Sequence, residues 1–291
     1  MPKILLIGAR GQVGRELQFT LPPLGEVINI GREELDLTDG EGIRALVRAT
    51  RPEILVNASA YTAVDKAESE VELAYAVNAE APKILAEEAG RCGARFLHIS
   101  TDYVFDGRQN TPYRETDPVN PLSVYGKTKL QGEEFIREID PNSIVLRTAW
   151  VYGIHGKSNF VKTMIRLGKE REELKVVMDQ VGSPTLAKDI ADAIAVLLKN
   201  TDTPGGIYHF TDSGVASWFD LARTVFDEAK TLGIPLKIQR VIPITTAEYP
   251  TPAVRPAYSV LSGQKIHDRL GYIPPYWRDS LTSMMAGFAT L

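Results

Sequence analysis

Short apolar runs alternate with amphipathic stretches through the first half of the chain. The apolar runs predict buried strands at 3–7, 27–30, 54–57, 96–99 and 144–146. Apolar residues at helical spacing between them predict helices over 12–21, 40–49 and 123–137, and a long helical stretch that ends near 91–93. The segment Thr38-Asp39-Gly40-Glu41 has the spacing of a capping box and marks the start of the second helix.

This alternation predicts an α/β fold built on a Rossmann-type doubly wound parallel sheet. Strands that are apolar on both faces and separated by helices need a sheet that is covered on both sides. The regular alternation of strands and helices becomes weaker after about residue 150. There, helices predicted at 159–169, 187–198 and 218–232 lie among short strands and many prolines. We predict a first domain over 1–150 and a smaller, loop-rich α/β domain over 151–291, with the helix near 187–198 returning to the first.

Composition narrows the choice of partner and compartment. The 291 residues carry 33 basic and 37 acidic side chains, so electrostatics give no reason to expect nucleic acid or an anionic membrane as a partner. The single cysteine, Cys92, excludes an intrachain disulfide and favours a reducing compartment. No apolar run is long enough for a signal-peptide core or a bilayer span, so we expect a cytoplasmic protein.

A glycine-rich segment, Gly8-Ala9-Arg10-Gly11-Gln12-Val13-Gly14, follows the first predicted strand and opens the first predicted helix. Gly8 permits a tight turn, Gly11 lets a pyrophosphate approach the backbone, and Gly14 lets helix and strand pack closely. The helix N-terminus adds free N–H groups and partial positive charge. The spacing G-x-x-G-x-x-G differs from the usual G-x-G-x-x-G, but its place at the first strand-to-helix junction indicates a dinucleotide-binding domain.

The end of the second strand bears on which dinucleotide binds. An acidic residue there would bond the ribose of NAD, whereas an arginine can hold the 2′-phosphate of NADP. The sequence reads Val27-Ile28-Asn29-Ile30-Gly31-Arg32, with no carboxylate at the strand end, so Arg32 favours NADPH and leaves NADH open. A solvated surface arginine is the alternative for Arg32. Asp36 and Leu37, just beyond, are candidates to contact the adenine.

Tyr125 and Lys129 stand four residues apart on a predicted helix and therefore share one face. A free tyrosine titrates near pH 10, and a nearby ammonium favours its phenolate. We expect the pKa of Tyr125 to be lowered by ~3 units, which would let it exchange a proton with a carbonyl oxygen. Thr101 ends the fourth strand, where parallel sheets place ligand groups, and could bond the same oxygen. On its own the Tyr125–Lys129 spacing is common and far more often structural than catalytic, and only its context favours catalysis.

The chain resembles an extended short-chain dehydrogenase/reductase. The motifs that carry this resemblance together are the glycine-rich segment, Asn57-Ala58-Ser59-Ala60, Ser100-Thr101 and the Tyr125–Lys129 pair. More narrowly, the chain resembles the dTDP-4-dehydrorhamnose reductase family nearly end to end. The segments that carry this resemblance are Y-T-A-V-D-K-A-E at 61–68, S-T-D-Y-V-F at 100–105, R-T-A-W-V-Y at 147–152 and Y-P-T-P at 249–252. The resemblance implies NAD(P)H-dependent reduction of the C4 ketone of dTDP-6-deoxy-L-lyxo-4-hexulose to dTDP-L-rhamnose. It also implies that 151–291 mainly binds this dTDP-sugar.

The resemblance assigns roles to individual residues. The catalytic residues are Thr101, Tyr125 and Lys129. The sugar is faced by Thr101, Asp102, Tyr125 and Trp150, although a core aromatic at a strand end is the alternative for Trp150. Arg255 is added as a diphosphate contact because the charge of the ligand needs a cation. The cofactor-binding residues are Gly8, Arg10, Gly11, Gln12, Val13, Gly14, Arg32, Asp36, Leu37, Ala58, Ala60, Tyr61, Thr62, Tyr125 and Lys129.

The sequence counts against a bound metal. Some members of the family are described as dimers with Mg²⁺ held by carboxylates at the interface. Glu16 fits one such position, but Lys188 stands where another acid would be expected. We therefore predict no metal site and leave the choice between monomer and homodimer open. The histidines show no local metal-ligand spacing, and each is assigned a core or surface role: His98, His155, His209 and His267.

Two other functions fit the same fold. A sugar-nucleotide 4,6-dehydratase needs an additional acid and base, and related dehydratases resemble Thr-Asp-Glu where this chain reads Thr101-Asp102-Tyr103. That difference counts against elimination, whereas a 4-epimerase is harder to exclude. The regulatory subunit of eukaryotic methionine adenosyltransferase also resembles this family and binds a dinucleotide without being an enzyme. The Thr101-Asp102 pair and Trp150 favour catalysis.

Overall fold

A six-stranded parallel sheet forms the centre of the protein in a computed structural model that describes residues 1–288. Numbered in chain order, its strands are β1 (Lys3–Ile7), β2 (Glu26–Ile30), β3 (Ile54–Asn57), β4 (Arg95–Thr101), β5 (Ile144–Thr148) and β10 (Gly206–His209). They lie side by side in the order β2-β1-β3-β4-β5-β10. The order reverses between β1 and β3, so the carboxyl ends of these two strands form the switch point at which such sheets bind ligands.

Helices cover both faces of this sheet. One face packs against α1 (Gln12–Thr20), α8 (Ala187–Lys199) and α10 (Gln264–Leu270), and the other against α2 (Gly40–Thr50), α5 (Ala81–Cys92) and α6 (Val124–Ile139). Successive side chains of a strand point to opposite faces. Accordingly, Ile4 and Leu6 of β1 lie in the first apolar cluster, and Leu5 and Ile7 lie in the second. The two-sided burial explains why the strands read as continuous apolar runs.

Most of the chain beyond residue 150 builds a third apolar cluster of its own. Its strands are β6 (Val151–Tyr152), β7 (Glu173–Val177), β8 (Val181–Gly182), β9 (Thr185–Leu186), β11 (Ala216–Ser217) and β12 (Arg240–Ile244). Its helices are α7 (Phe160–Glu170), α9 (Trp218–Thr231) and α11 (Trp277–Phe288). The later elements α8 and β10 pack with the central sheet, and the division at residue 150 stays a prediction. No helix within residues 1–288 has the length and apolar character to cross a bilayer.

The structure confirms the doubly wound parallel sheet and corrects two helix predictions. The long stretch after β3 is divided into α3 (Val64–Ala67), α4 (Val71–Tyr75), a π-helical turn (Ala76–Glu80) and α5. The capping box on Thr38 does not form, because the Thr38 hydroxyl donates to Asp36 Oδ1. Asp39 caps α2 instead by accepting a hydrogen bond of 3.0 Å from the Gly42 N–H.

Candidate functional site

The glycine-rich turn joins β1 to α1 at the switch point of the sheet. Gly8 has a φ of +84°, in the left-handed region that disfavours other residues, and a Cβ there would lie 2.7 Å from the carbonyl carbon of Ala58. The Gly11 N–H donates to the Gly8 oxygen at 2.9 Å and closes the turn. A Cβ on Gly14 would lie 2.1 Å from that same oxygen. The close packing of helix against turn therefore requires glycine at Gly8 and Gly14.

Gly14→Ala is expected to destabilise the protein by about 1–3 kcal/mol, because the added methyl group overlaps backbone that the sheet holds in place. Gly90→Ala in α5 is the matched control, since a Cβ there meets no atom within 4 Å. Replacing this helical glycine should stabilise the protein by roughly 0.5–1 kcal/mol. Chemical denaturation of both variants measures the difference. Similar effects at the two positions would contradict the role of close packing at Gly14.

The N-terminus of α1 is available to bind an anion. Gly11 is the N-cap residue, no side chain caps the helix, and the N–H groups of a first helical turn have no acceptor within the helix. Val13 is buried in the core, so it can offer a ligand only its backbone. The Gln12 side chain links the two halves of the chain, because its Oε1 accepts a hydrogen bond of 2.8 Å from Asn159, the N-cap residue of α7.

The turn after β2 corrects the statement that no carboxylate lies at the end of this strand. The chain bends back after Gly31, whose N–H donates to Glu34 Oε2 at 2.8 Å. Glu33 and Glu34 both form ion pairs with Arg10 of the glycine-rich turn. Arg32 is exposed. Two carboxylates, Glu33 and Glu34, therefore follow Arg32 in this turn and pair with Arg10 of the glycine-rich turn. The strand sequence alone did not reveal this pairing of opposite charges.

Asp36 and Leu37, the candidates for the adenine, follow the same turn. Asp36 is exposed, and hydrogen bonds from the Thr38 backbone and hydroxyl lower the pKa of its carboxyl. Leu37 is half-buried against the apolar cluster on the α2 face of the sheet. Asp36 and Leu37 therefore place a carboxyl group next to a partly exposed apolar side chain.

The segment after β3 passes the glycine-rich turn and is anchored by a residue from the π-helical turn. Ala58 lies against Gly8, as the short distance to its carbonyl carbon shows. Buried Asn78 accepts from the Tyr61 N–H at 2.9 Å and donates to the Tyr61 oxygen at 3.1 Å. Ala60 is half-buried and Thr62 is exposed, so the segment stays accessible along its length.

Thr101 and Tyr125 meet at the carboxyl end of β4. Tyr125 lies in the first turn of α6, where the N-cap residue Ser123 accepts from the Gly126 N–H at 3.1 Å. The Tyr125 hydroxyl lies beside the Thr101 side chain, and its ring packs edge-on against Tyr103 with 5.4 Å between centroids. Burial raises the pKa of Tyr125 to about 12, and the neighbouring Thr101 hydroxyl only partly opposes this shift.

Asp102 is a buried carboxyl beside this pair. Its Oδ1 accepts from the Thr101 hydroxyl at 3.1 Å, whereas its Oδ2 has no hydrogen-bond partner in the part of the chain that the structure describes. Burial raises the pKa of Asp102 to about 6, although the neighbouring Ser259 and Thr101 side chains oppose the shift. A buried oxygen without a partner, next to two hydroxyls, is suited to accept a hydrogen bond from a ligand.

Lys129 lies one helical turn beyond Tyr125 and is buried. Its Nζ donates to the Ile99 oxygen at 2.7 Å and lies 2.9 Å from His98 Nε2. Burial lowers the pKa of Lys129 to about 8. The pKa of Tyr125 is raised, not lowered as the sequence predicted, because burial dominates and Lys129 directs its Nζ toward β4.

Trp150 occupies a strained position at the edge of the site. Its φ of +48° is in the left-handed region, which is uncommon for a bulky residue. Its ring stacks on Trp218 with 3.5 Å between centroids, and a Cβ on Gly182 would lie 2.4 Å from its Nε1. Strain of this kind is found most often at functional sites. Trp218, which sequence reasoning did not select, gives no motif by which it could have been found.

Arg255 reaches the site from the second half of the chain but is already paired. It donates from Nη1 and Nη2 to the Asp65 carboxylate at 3.0 and 2.8 Å, and from Nη1 to the Thr251 hydroxyl. Tyr103 also contributes to raising the pKa of Arg255. The ion pair joins the segment 249–255 to α3.

The carboxylates considered for a metal lie apart from this cluster. Glu16 is half-buried, with His155 Nε2 at 3.9 Å, and burial raises the pKa of its carboxyl. Lys188 pairs with Asp192. Among residues 1–288 no group of three or more histidine, cysteine, aspartate or glutamate residues is arranged to hold a metal ion.

Fold and site together define a protein of the short-chain dehydrogenase/reductase class. The family model described as RmlD substrate binding domain matches residues 2–290. The chain is also 45% identical to the dTDP-4-dehydrorhamnose reductase of Escherichia coli K12, over 97% of this chain and 96% of that protein. The chain therefore belongs to the dTDP-4-dehydrorhamnose reductase family.

Solved structures agree with this assignment. A dTDP-4-dehydrorhamnose reductase from Clostridium acetobutylicum has a TM-score of 0.91 and 42% identity, with 98% of this chain and 99% of that chain covered. A dTDP-4-dehydrorhamnose reductase from Bacillus anthracis, solved in complex with NADP, has a TM-score of 0.91 and 37% identity at the same coverage.

Proposed function

We propose that this protein reduces the C4 ketone of dTDP-6-deoxy-L-lyxo-4-hexulose to the alcohol of dTDP-L-rhamnose, with NADPH as reductant. The cluster of Thr101, Tyr125 and Lys129 carries the proposal. It lies at the same edge of the sheet as the glycine-rich turn, two strands away, and provides a proton donor where a parallel sheet binds its ligand. The full-length match to relatives named for this activity supports the substrate class.

Tyr125, Thr101 and Lys129 have different roles in the reaction. NADPH, when bound, supplies the hydride that reduces the carbonyl carbon. Tyr125 gives its phenolic proton to the carbonyl oxygen as that oxygen gains negative charge. The Thr101 hydroxyl bonds the same oxygen and fixes its orientation. Lys129 holds the ribose of the cofactor from the next turn of α6.

The residues present fit a dinucleotide. The uncapped N-terminus of α1 offers N–H groups to a pyrophosphate, and the absence of side chains at Gly8 and Gly11 lets it approach the backbone. Exposed Arg32 supports NADPH over NADH, as does the NADP in the Bacillus anthracis relative. Glu33 and Glu34, which pair with Arg10, place negative charge next to Arg32 and reduce the preference for the 2′-phosphate of NADPH. NADH is therefore proposed as a second, weaker reductant.

The sugar and its diphosphate are assigned to residues on both sides of the site. Asp102 offers an unpartnered oxygen to a sugar hydroxyl, and Trp150 presents an aromatic ring held by its stack on Trp218. Arg255 is proposed as the diphosphate contact, with its guanidinium held in position by Asp65. A cytoplasmic location, and a monomer or homodimer without metal, complete the proposal.

Absorbance-monitored oxidation of NADPH tests this function, with the 4-keto-6-deoxy sugar nucleotide as substrate and its 3,5-epimerase present. Stoichiometric oxidation of NADPH and formation of the C4 alcohol are expected. Interconversion of two sugar nucleotides that differ only in the configuration of the C4 alcohol, without net NADPH consumption, would indicate an epimerase instead. Tight NADPH binding without turnover would favour the regulatory-subunit alternative.

A further inference from the structure

The loop that joins β6 to α7 lies along α1, and we call its residues 153–159 the strap. Gln12, Glu16 and Phe19 stand at positions i, i+4 and i+7, so they share one face of α1. His155 of the strap meets this face twice, because its Nε2 lies 3.9 Å from Glu16 Oε1 and its ring stacks on Phe19 with 6.1 Å between centroids. The last residue of the strap bonds Gln12. The strap therefore fastens the second half of the chain to the helix that follows the glycine-rich turn.

Asn159, the last residue of the strap, joins three segments through one side-chain amide. The backbone N–H of Lys162 can only donate, and it lies 2.9 Å from Asn159 Oδ1, which fixes the orientation of the amide. Asn159 Nδ2 therefore faces the Gly153 oxygen and Gln12 Oε1, and it donates to each at 2.8 Å. One residue thus caps α7, closes the strap and holds Gln12, and both of its amide protons are used.

The strap borders the place where the proposed function puts the cofactor pyrophosphate. Gln12 is the first residue of α1, and the N-cap residue Gly11 leaves the N–H groups of the first turn without a side-chain cap. Gly156 packs against Gln12 so closely that a Cβ on this glycine would lie 2.6 Å from Gln12 Cγ. The strap also begins three residues after Trp150, the proposed sugar contact. It therefore runs from the sugar contact to the pyrophosphate end of α1.

We propose that Asn159 is a positioning residue for the cofactor, which acts through Gln12 to hold the strap beside the N-terminus of α1 before the pyrophosphate binds. A loop that is already held in place loses less conformational entropy on binding than a free loop. Asn159 commits both amide protons to the protein, so its effect on cofactor affinity passes through the Gln12 hydrogen bond. This proposal rests on the proposed function for its ligand, a dinucleotide, and not for the reaction.

Binding of NADPH to the full chain, followed by the fluorescence of the cofactor, tests the proposal without any sugar substrate. Asn159→Ser keeps a side-chain oxygen that can cap α7 but removes the donor to Gln12. We expect its Kd for NADPH to rise about fivefold, the effect of losing one hydrogen bond of ordinary strength. An unchanged Kd would overturn the proposal.

Two controls separate this effect from a general loss of structure. Adenosine 2′,5′-bisphosphate has no pyrophosphate, so it should bind Asn159→Ser and the wild type equally, which would also show that the variant is folded. Asn142→Ser changes an exposed asparagine in the turn before β5, at the opposite edge of the sheet, and should leave both affinities unchanged. Equal weakening of both ligands by Asn159→Ser would contradict a role at the pyrophosphate.

A double-mutant cycle with Gln12→Ala tests whether Asn159 acts through Gln12. In the Gln12→Ala background, Asn159→Ser should change the Kd for NADPH by no more than about a factor of two, because the hydrogen bond is already absent. A further loss as large as that in the wild-type background would show that Asn159 acts through the α7 cap instead, and the proposal would fail.

These outcomes are distinct from those of the turnover assay. NADPH binding that weakens in Asn159→Ser, in a protein that does not reduce the 4-keto sugar nucleotide, would count only against the proposed function. Full turnover together with equal NADPH affinity in Asn159→Ser and the wild type would count only against the role of Asn159. A wild-type protein that binds no dinucleotide would contradict both.

Discussion

Tyr125→Phe should lower kcat for ketone reduction by about 10²–10⁴-fold, the usual contribution of a positioned proton donor. The substitution removes only the hydroxyl, and the ring keeps its edge-on contact with Tyr103. Thr101 retains its hydroxyl, but an aliphatic alcohol is a much weaker acid than a phenol, so it cannot replace the proton donor. The loss should fall on kcat, because the phenol acts on an oxygen that gains charge only during the reaction.

The measurement is NADPH oxidation with the 4-keto sugar nucleotide, alongside NADPH binding by fluorescence. Tyr208→Phe is the matched control, because it also removes a hydroxyl from a buried tyrosine, one that donates to the Pro204 oxygen at 2.8 Å. This control should keep kcat within a few-fold of the wild-type value. If Tyr125→Phe retained wild-type turnover, Tyr125 would not be the proton donor.

The framework of the site follows from local sequence patterns. The strands β1 and β3 begin and end at the predicted residues, because turn residues bound short apolar runs on both sides. The spacing of Tyr125 and Lys129 fixes a shared helix face whatever surrounds the helix. The need for glycine at Gly8 and Gly14 could be predicted for the same reason, since each position is constrained by backbone contacts close to the first turn.

Contacts between distant parts of the chain could not be predicted. His98 and Lys129 are 31 residues apart, and Asn78 holds a loop 17 residues before it. The charge state of Tyr125 depends on such contacts, so its pKa was predicted in the wrong direction. The turn after β2 shows the same limit, since Glu33 and Glu34 pair with Arg10, which lies 23 and 24 residues earlier in the chain.

A buried ion pair behind the site supplies the other large expected effect. Glu133 and Arg147 are 1% and 2% exposed, and the carboxylate accepts from both Arg147 Nη2, at 2.6 Å, and Nε. Ser100 also donates to Glu133. Arg147→Met would leave the carboxylate buried without its cation. We expect it to lower the free energy of unfolding by about 3–5 kcal/mol.

The double variant Glu133→Gln/Arg147→Met separates the cost of an unpaired charge from the loss of contacts. It should recover much of the stability that Arg147→Met loses, because neither remaining side chain of the pair is charged. Arg240→Met is the control, since its pair with Glu173 is exposed and should contribute less than about 1 kcal/mol. Chemical denaturation of the wild type and the variants gives these differences.

Turnover of the same double variant in the NADPH oxidation assay tests how the pair supports the site. Glu133 lies one turn beyond Lys129 on α6, and Ser100 directly precedes Thr101 on β4. Their hydrogen bond therefore holds the helix that carries Lys129 against the strand that carries Thr101. If it sets their spacing, the double variant should remain less active than its recovered stability would allow. Full recovery of both stability and turnover would show that packing alone fixes the distance between α6 and β4.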